Sequence, residues 1–309
     1  MILVGGENLI DFIESPDGRF TANPGGGPYN IAKTLARQEQ AVGYLTPIST
    51  DQMGDRLTLG LEASGATLLA PRSNSPTSLA LVTLRNGQPS YQFYRQKTAE
   101  RMVSPALLAR ITPQAATALH IGSLALTSGK DAEIWAEFYR ASHARGLFTS
   151  LDPNIRPAFI KNHQKYLARI ERLLSKTDLL KLSDEDLAWI SPNLPIESAA
   201  KALRMQHGIP LLVLTKGSDG AMAFHQNGTI NIPAAMADPF VDAVGAGDTF
   251  MGTLLAQLSD NGLLSSHALQ TASAGALQTC LQYAAKAAAL NCERSGCNPP
   301  NKAELIGGP

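Results

Sequence analysis

Short apolar runs of strand-like composition alternate with helical patterns along most of this chain. Residues 1–6 (MILVGG) form the first run, which is rich in branched aliphatic residues and ends at glycines. Runs separated by helices indicate βαβ units, and hence an α/β fold with a mostly parallel sheet. In such sheets, ligands bind beyond the carboxyl ends of the strands. The later runs lie at 42–48, 118–124, 147–153, 178–183 and 210–217, and helical patterns lie at 30–38, 131–144 and 196–207.

Two segments break this alternation. Residues 10–24 carry the turn sequence PDG between extended runs, and residues 77–97 alternate in polarity and turn at Asn86-Gly87. An Asn-Gly pair between alternating runs is a strong hairpin signal. We expect the two segments to form a small second sheet that acts as a lid over the substrate. The alternative is an edge hairpin of the main sheet.

The composition excludes several classes of protein. The 26 basic and 26 acidic residues give a formal net charge of zero, so we expect neither a nucleic-acid partner nor an anionic membrane partner. No signal peptide or transmembrane segment is predicted, and residues 1–309 are expected to form one cytoplasmic domain. The three cysteines lack the number and spacing of a disulfide framework or a zinc site, so we expect free thiols.

The stretch DAVGAGDTF (242–250) places small residues directly before a carboxylate and an apolar stripe. The stripe predicts a helix that begins near Gly245, Ala246 and Gly247. Unpaired amides and the positive end of the helix dipole make such a start an anion site. Asp248 is then either a helix cap or a base that accepts a proton from an alcohol as the alcohol attacks phosphorus. Phosphoryl transfer needs mainly positioning and charge stabilisation, which fits the second interpretation.

This stretch resembles the C-terminal signature of the ribokinase-like (PfkB) sugar kinases, usually close to D-T-x-G-A-G-D-x-F. PGGGPYNIAKTLARQ (24–38), followed by STDQMGDRL (49–57), is similar to the N-terminal G-G-x-x-x-N-x-A block of that family and its downstream D-x-x-G. Both signatures occur in the expected order, and the likeness covers nearly the whole chain. The resemblance implies a central sheet flanked by helices, a small β lid, and transfer of a phosphoryl group from ATP to a sugar hydroxyl.

The resemblance also implies roles for individual residues. Asp248 matches the catalytic base, residues 245–247 match the anion hole, and Asp242 matches a position that helps to hold a monovalent cation such as K⁺. A polyol needs convergent donors and acceptors, which Asp and Asn side chains supply. A helix N-cap is the alternative role for Asn30. The residues that match sugar-binding positions are Asp11, Gly26, Gly27 and Asn30.

Three further segments resemble the nucleotide side of the family's site. KLSDEDL (181–187) falls where the family has N-x-x-E, a motif tied to Mg²⁺ and phosphate, and the shorter Asp186 departs from that pattern. Asp186 then either contacts Mg²⁺ through water or begins a solvated acidic helix. LTKGSDGA (214–221) matches a segment beside the nucleotide, unless its glycines only form a tight turn. AAALNCERSGCNPP (287–300) resembles the C-terminal segment that lines the family's adenine pocket and cation site. The residues expected at the ATP site are Ser183, Thr215, Lys216, Gly217, Gly220, Asn291 and Gly296.

The substrate is suggested by GGENLIDFI (5–13), YQFYR (91–95) and LDPNIRP (151–157), which most resemble bacterial fructokinases. The resemblance therefore implies fructose, while 2-keto-3-deoxygluconate, ribose and nucleosides remain alternatives within the family. Asn154 and Arg156, at the end of a strand, are expected to reach the sugar. Arg95 either reaches a sugar oxygen from the lid or is an ordinary surface arginine.

Other functions are less consistent with the sequence. A dinucleotide-binding G-x-G-x-x-G motif is not formed, because residues 25–30 and 245–250 both lack the third glycine. A Walker-type loop at 122–131 has Asp131 where Ser or Thr is needed. A sugar-binding regulatory protein on a kinase scaffold would be marked by loss of the base, yet Asp248 is present. A homodimer through lid strands is a further option.

Overall fold

The computed structural model describes residues 1–15, 17–85 and 88–307. The strands of this part are β1 (Ile2–Gly5), β2 (Leu9–Glu14), β3 (Phe20–Gly25), β4 (Val42–Tyr44), β5 (Thr67–Leu68), β6 (Ser78–Arg85), β7 (Gln88–Tyr94), β8 (Ala118–Gly122), β9 (Phe148–Asp152), β10 (Leu179–Ser183), β11 (Leu211–Thr215), β12 (Ala221–His225) and β13 (Gly228–Ile232). The helices are α1 (Gly27–Arg37), α2 (Gln52–Ala63), α3 (Pro105–Ile111), α4 (Lys130–Ala144), α5 (His163–Leu174), α6 (Asp184–Ile190), α7 (Ile196–His207), α8 (Ala246–Asp260), α9 (Ser266–Thr271), α10 (Ala274–Cys292) and α11 (Lys302–Gly307).

The main sheet has nine strands in the order β13-β12-β11-β10-β9-β8-β1-β4-β5. Neighbours from β11 to β5 pair in parallel, and β12 and β13 extend the sheet in antiparallel pairing. Each of the predicted apolar runs contributes a strand to this sheet. The prediction of a mostly parallel sheet is therefore confirmed, and β5, β12 and β13 are additions that the sequence pattern does not predict.

Helices cover both faces of the main sheet, and each face has its own apolar core. Ile2 and Val4 of β1 belong to the core that also contains side chains of α1, α8 and α10, whereas Leu3 faces a core formed with α4, α5 and α7. Strands that are buried on both faces have continuous apolar sequences, which is why these runs are so clear in the sequence. None of the described helices is long and apolar enough to span a lipid bilayer.

A second sheet of four strands, the lid sheet, has the order β3-β2-β6-β7 and is separate from the main sheet. β2 pairs antiparallel with β3 and parallel with β6, and β6 pairs antiparallel with β7. The predicted second sheet is confirmed, and the alternative of an edge hairpin on the main sheet is wrong. Pro16 of the PDG turn and both residues of the Asn86-Gly87 turn lie outside the described residues. Leu9 of the lid sheet packs on Leu124, which follows β8, and so joins the two sheets.

Candidate active site

A cavity of about 490 Å³ lies between the lid sheet and the carboxyl ends of the main-sheet strands. Its wall includes residues from β2, from the start of α1, from the segment after β9 and from the start of α8. These segments are far apart in the chain, so only the folded topology brings them together. The predicted site residues on this wall are Asp11, Gly26, Gly27, Asn30, Asn154, Arg156, Gly245 and Asp248.

α8 begins directly after a glycine in the left-handed backbone conformation. Gly245 is the N-cap residue and has a φ of 75°, where other residues are strained. A side chain at this position would also collide with the thiol of Cys297, one of the three free cysteines. The first amides of a helix have no partner within the helix and lie at the positive end of its dipole. The residues predicted to bind an anion, 245–247, are therefore at a helix start beside the cavity.

Asp248 lies in the first turn of α8 but does not cap it. Its Oδ2 accepts a hydrogen bond of 2.9 Å from Nδ2 of Asn30, and the N-cap position belongs to Gly245. Asn30 in turn lies inside α1, whose N-cap residue is Gly26. The two alternative interpretations, in which Asp248 and Asn30 are simple helix caps, are therefore wrong. The structure instead places the two side chains against each other, and Asp248 Oδ1 lies 3.4 Å from the position that a Cβ on Gly27 would take.

Burial changes the acidity of the two carboxylates that face the cavity. Asp248 is only 9% exposed, and burial, with the negative charge of Asp152, raises its pKa to about 6 against the opposing effect of Asn30. Asp11 is half-buried, and burial, followed by the charges of Asp248 and Glu7, raises its pKa to about 7. Arg156 lowers both pKa values. At neutral pH, Asp248 is mainly ionised and can accept a proton.

Glu7 is a functional candidate that the sequence interpretation missed. It is 1% exposed, and its two carboxylate oxygens accept hydrogen bonds from the backbone N–H groups of Gly27 (3.1 Å) and Ala125 (3.2 Å). This pair of bonds fixes the start of α1 against the segment that follows β8. A glutamate inside the otherwise apolar start of the chain, next to two glycines, was the available signal.

Arg95 lies behind the cavity wall. Its guanidinium donates hydrogen bonds of 2.9 and 3.0 Å to the carboxylate of Glu100 and one of 3.2 Å to the carbonyl oxygen of Leu124. Because its side chain is only 11% exposed, the surface-arginine interpretation is wrong. Its donors are directed at Glu100 and at the segment after β8, at the junction of the lid sheet and the main body.

A buried ion pair joins two neighbouring strands of the main sheet, and the sequence interpretation missed both residues. Nζ of Lys181 in β10 lies 2.8 Å from Oδ2 of Asp152 at the end of β9, and both side chains are 6% exposed or less. Among the described residues, no hydrogen-bond partner reaches the other oxygen of Asp152, Oδ1, although this atom is buried. The signal for Lys181 was a charge within the apolar strand LLKLS.

Asp186 is part of a capping box at the start of α6. Oδ2 accepts a hydrogen bond from the N–H of Ser183 (3.1 Å), and the Ser183 hydroxyl accepts one from the N–H of Asp186 (3.0 Å). Oδ1 accepts a further bond of 2.7 Å from the N–H of Ile155. With Asp186 only 5% exposed, the interpretation as a solvated acidic helix start is wrong. Burial raises the pKa of this carboxyl, and the charge of Asp152 contributes.

The segment after β11 turns back tightly into β12. Thr215 pairs with Ser183 across β11 and β10, so these two predicted residues lie at the same sheet edge. The N–H of Lys216 donates to the carbonyl oxygen of Gly220 at 2.8 Å, and Gly217 and Gly220 have φ values of 54° and 83°. The tight-turn interpretation is therefore confirmed for these glycines, and their contact with ATP stays a prediction.

The loop before α8 is tied to the segment that follows α10. The two oxygens of Asp242 accept hydrogen bonds of 2.8 Å from the N–H groups of Val244 and Gly296. Nδ2 of Asn291 donates to the carbonyl oxygen of Val244 at 2.8 Å, and its Oδ1 accepts from the N–H of Asn298 at 2.9 Å. Asp242, predicted at a cation site, and Asn291 and Gly296, predicted at the ATP site, are thus joined directly beside the start of α8.

Comparisons with known proteins agree with this architecture. The family model described as pfkB family carbohydrate kinase matches residues 1–304. The chain is 37% identical over 273 residues to a fructokinase of Rhizobium leguminosarum bv. trifolii, covering 86% of this chain and 82% of that protein. A fructokinase of Klebsiella pneumoniae is 29% identical, with 90% and 91% of the two chains covered.

Solved structures with the same fold include kinases of two kinds. A fructokinase with bound ATP from Xylella fastidiosa superposes with a TM-score of 0.89 at 26% identity, covering 99% of this chain and 97% of that one. An aminoimidazole riboside kinase from Salmonella enterica has a TM-score of 0.83 at 22% identity, with 99% and 98% covered, and supports the fold alone. The predicted ribokinase-like fold is therefore confirmed.

Proposed function

The chain belongs to the pfkB family of carbohydrate kinases, and we propose that it transfers the γ-phosphoryl group of ATP to a hydroxyl group of fructose. Phosphotransfer to an alcohol is the chemistry of this family. The observation that carries the proposal is the position of Asp248, a buried carboxylate on the cavity wall in the first turn of α8. At this position a base for the attacking hydroxyl group lies next to backbone amides that can bind the phosphoryl group.

In the proposed reaction, Asp248 takes the proton of the attacking hydroxyl group. Its raised pKa of about 6 leaves it ionised at neutral pH yet makes it a stronger base than an exposed aspartate. The amides of residues 245–247 stabilise negative charge on the phosphoryl group as it moves. Asn30 holds the Asp248 carboxylate in place through its hydrogen bond of 2.9 Å. No covalent enzyme intermediate is required.

Fructose is proposed as the sugar because the relative with 37% identity is named a fructokinase. Asp11, Asn154 and Arg156 lie on the same cavity wall as Asp248 and offer both acceptors and donors to a polyol. Gly26 and Gly27, at the start of α1, let the backbone approach the sugar closely. We assign Arg95 a supporting role behind this wall, since Glu100 and Leu124 take its hydrogen bonds.

A magnesium ion fits the carboxylates below the start of α8. Oδ1 of Asp152 is buried without a hydrogen-bond partner in the described chain, and Asp186 is close enough for the charge of Asp152 to raise its pKa. Mg²⁺ commonly keeps several waters and binds through one or two carboxylates together with substrate phosphates. We propose that Asp152 and Asp186 would hold a hydrated Mg²⁺ ion, which would neutralise charge on the phosphates of ATP. The predicted nucleotide contacts of Ser183, Thr215, Lys216, Gly217 and Gly220 lie at the neighbouring strand ends.

We further propose that the loops joined by Asp242 hold a monovalent cation such as K⁺. The Asp242 carboxylate is half-buried, and each oxygen that accepts a backbone N–H keeps a second lone pair. Carboxylate and carbonyl oxygens suit a hard cation. Asn291 and Gly296 complete the contacts that fix this loop beside the anion site.

Potassium is expected to stimulate the wild-type enzyme and to have little effect on the Asp242→Ala variant. Losing the carboxylate removes the proposed ligand and frees the loop, so we expect kcat/KM in KCl to fall about 10-fold. Initial rates in KCl and in tetramethylammonium chloride at equal ionic strength measure this effect. Asp238→Asn, at an exposed aspartate of the same segment, is the matched control. Equal wild-type rates in the two salts would contradict the cation site.

The pH dependence of kcat/KM should report the Asp248 carboxylate. Its pKa of about 6 means that protonation removes the base as the pH falls, so kcat/KM should drop nearly 10-fold per unit below about pH 6. Above that pH, ionised Asp248 persists and no loss from this group is expected. Rates from pH 4.5 to 8, with thermal unfolding followed over the same range, test this. A level profile between pH 5 and pH 8 would be inconsistent with a titrating base.

A substrate panel tests the choice of sugar. ADP release from ATP·Mg²⁺ is measured with fructose, glucose, ribose, 2-keto-3-deoxygluconate and adenosine, and fructose is expected to give the highest kcat/KM. A higher value for another compound would replace fructose but keep the phosphotransfer mechanism. Sugar binding without ADP release for any compound would support a binding protein instead.

The proposed location is the cytoplasm, where ATP and reduced thiols coexist. A homodimer that pairs through the edge strands β3 and β7 of the lid sheet is also proposed, and analytical ultracentrifugation tests it.

A further inference from the structure

We propose that Lys181 is a catalytic residue that contacts the transferred phosphoryl group and is held in place by Asp152. The inference deepens the proposed phosphotransfer and depends on it. β10 carries a buried lysine that the mechanism proposed above does not use. Leu180 and Leu182 of this strand pack into the core on one face of the sheet, whereas Lys181 points to the opposite face, toward α8.

The ammonium group of Lys181 is directed at Gly247, the middle residue of the predicted anion-binding segment 245–247, called the anion loop below. A Cβ built on Gly247 would lie 3.4 Å from Nζ and 3.8 Å from Cε of Lys181. A glycine at this position leaves the space between the loop and the ammonium group open. An anion held by the amides of residues 245–247 would therefore lie within reach of Nζ.

The hydrogen bonding of Lys181 leaves donors for such an anion. A lysine ammonium group has three N–H donors. The hydrogen bond of Lys181 within the described chain goes to Oδ2 of Asp152, at 2.8 Å. Because Asp152 lies on the neighbouring strand β9, this bond fixes the direction of the side chain. The remaining donors are free to bind phosphoryl oxygens beside Gly247.

The stability of the fold does not account for this ion pair. Lys181 is 5% exposed and Asp152 is 2% exposed. The free energy lost when two charges are removed from water offsets most of the free energy gained from their attraction. An apolar pair would fill the same space between β9, β10 and α8 without that cost. The salt bridge of 2.8 Å to Asp152 holds the ammonium group of Lys181 in one position. The arrangement keeps a fixed cation beside the anion loop.

A fixed cation at this position has a clear use in phosphoryl transfer. Negative charge spreads over the three equatorial oxygens of the phosphoryl group as the bond to the leaving oxygen breaks. A preorganised donor in a site that excludes water stabilises that charge more than it stabilises bound ATP. Lys181 forms and breaks no covalent bond and keeps its proton throughout. Its effect should therefore fall on kcat rather than on the affinity for ADP.

The test compares wild-type protein with the Lys181→Met variant in two measurements. We expect kcat to fall about 10²-fold, which is typical of enzymes that lose one hydrogen-bond donor to the charge of the transition state. Calorimetry then measures the affinity for ADP·Mg²⁺ with fructose, first alone and then with aluminium fluoride, which mimics the transferring phosphoryl group. The variant should bind ADP·Mg²⁺ within about 3-fold of wild type but lose most of the tightening that aluminium fluoride causes.

Controls separate this inference from folding and from the proposed function. Lys201→Met, at an exposed lysine of α7, should behave like wild type. If Lys181→Met is unstable because it strands the charge of Asp152, the Lys181→Gln variant keeps an amide N–H donor for Asp152 but carries no charge. It should fold and show the same loss of kcat and of tightening. Full tightening by aluminium fluoride in a folded Lys181 variant would overturn the role of Lys181. Absence of tightening in wild-type protein would instead count against the phosphotransfer itself.

Discussion

The Asp248→Asn variant is expected to bind fructose about as well as wild-type protein but to turn over at least 10²-fold more slowly. The amide oxygen of asparagine can still accept the hydrogen bond that Asn30 donates at 2.9 Å, so the packing around the start of α8 is retained. The amide cannot take a proton from the attacking hydroxyl group. The loss should therefore appear in kcat, measured by ADP release, and not in the fructose dissociation constant, measured by calorimetry.

Folding is not expected to limit the Asp248→Asn variant. The folded-state pKa of Asp248, about 6, is above its ordinary value of 3.8, so ionisation destabilises the folded protein as the pH rises through about 6. A neutral amide removes that cost, and the melting temperature at pH 8 should be unchanged or higher. Asp260→Asn, at the exposed other end of α8, is the matched control and should keep wild-type turnover. Near-normal kcat in the Asp248 variant would refute the base assignment.

The Asp11→Ala variant is expected to lose fructose affinity by about 10- to 100-fold, the range for leaving a buried hydrogen-bonding group without its partner, while ATP affinity stays within a few-fold. Asp11 lies in the lid sheet on the wall of the cavity, across from Asp248, whose charge helps to raise the pKa of Asp11 to about 7. It is therefore placed to bind the sugar and not the nucleotide. Calorimetric titration of each ligand separately measures the two affinities.

A second lid variant shows whether the Asp11 effect is specific. Thr21→Ala changes an exposed side chain of β3, which pairs with β2, and should leave both affinities at wild-type values. A loss for ATP as large as the loss for fructose would mean that Asp11 supports the overall fold of the site rather than the sugar. Unchanged fructose affinity would remove Asp11 from the sugar site altogether.

The sequence was most informative about features that depend on residues close together in the chain. Strands buried on both faces are continuous apolar runs, and a helix start preceded by a glycine is visible in DAVGAGDTF, so the main sheet and the start of α8 could both be predicted. The antiparallel strands β12 and β13 were not predicted, because the run from 221 to 232 is interrupted by turn residues and by polar side chains.

The contacts that shape the site could not be predicted because they join distant parts of the chain. Asn30 and Asp248 are 218 residues apart, so a role could be predicted for each residue but not the hydrogen bond between them. Lys181 and Asp152 are 29 residues apart and meet because β9 and β10 pair in parallel. The burial of Arg95 could not be predicted either. Its partner Glu100 is nearby in sequence, but the burial of the pair depends on how the lid sheet packs on the main sheet.

Transfer of label from [γ-³²P]ATP to fructose tests the central claim most directly. The purified protein is incubated with labelled ATP, Mg²⁺, K⁺ and fructose, and the products are separated by anion-exchange chromatography. The account predicts one labelled sugar phosphate for each ADP formed by wild-type protein, and almost none with the Asp248→Asn variant. Label recovered as inorganic phosphate, or sugar phosphate formed equally well without the Asp248 carboxylate, would contradict it.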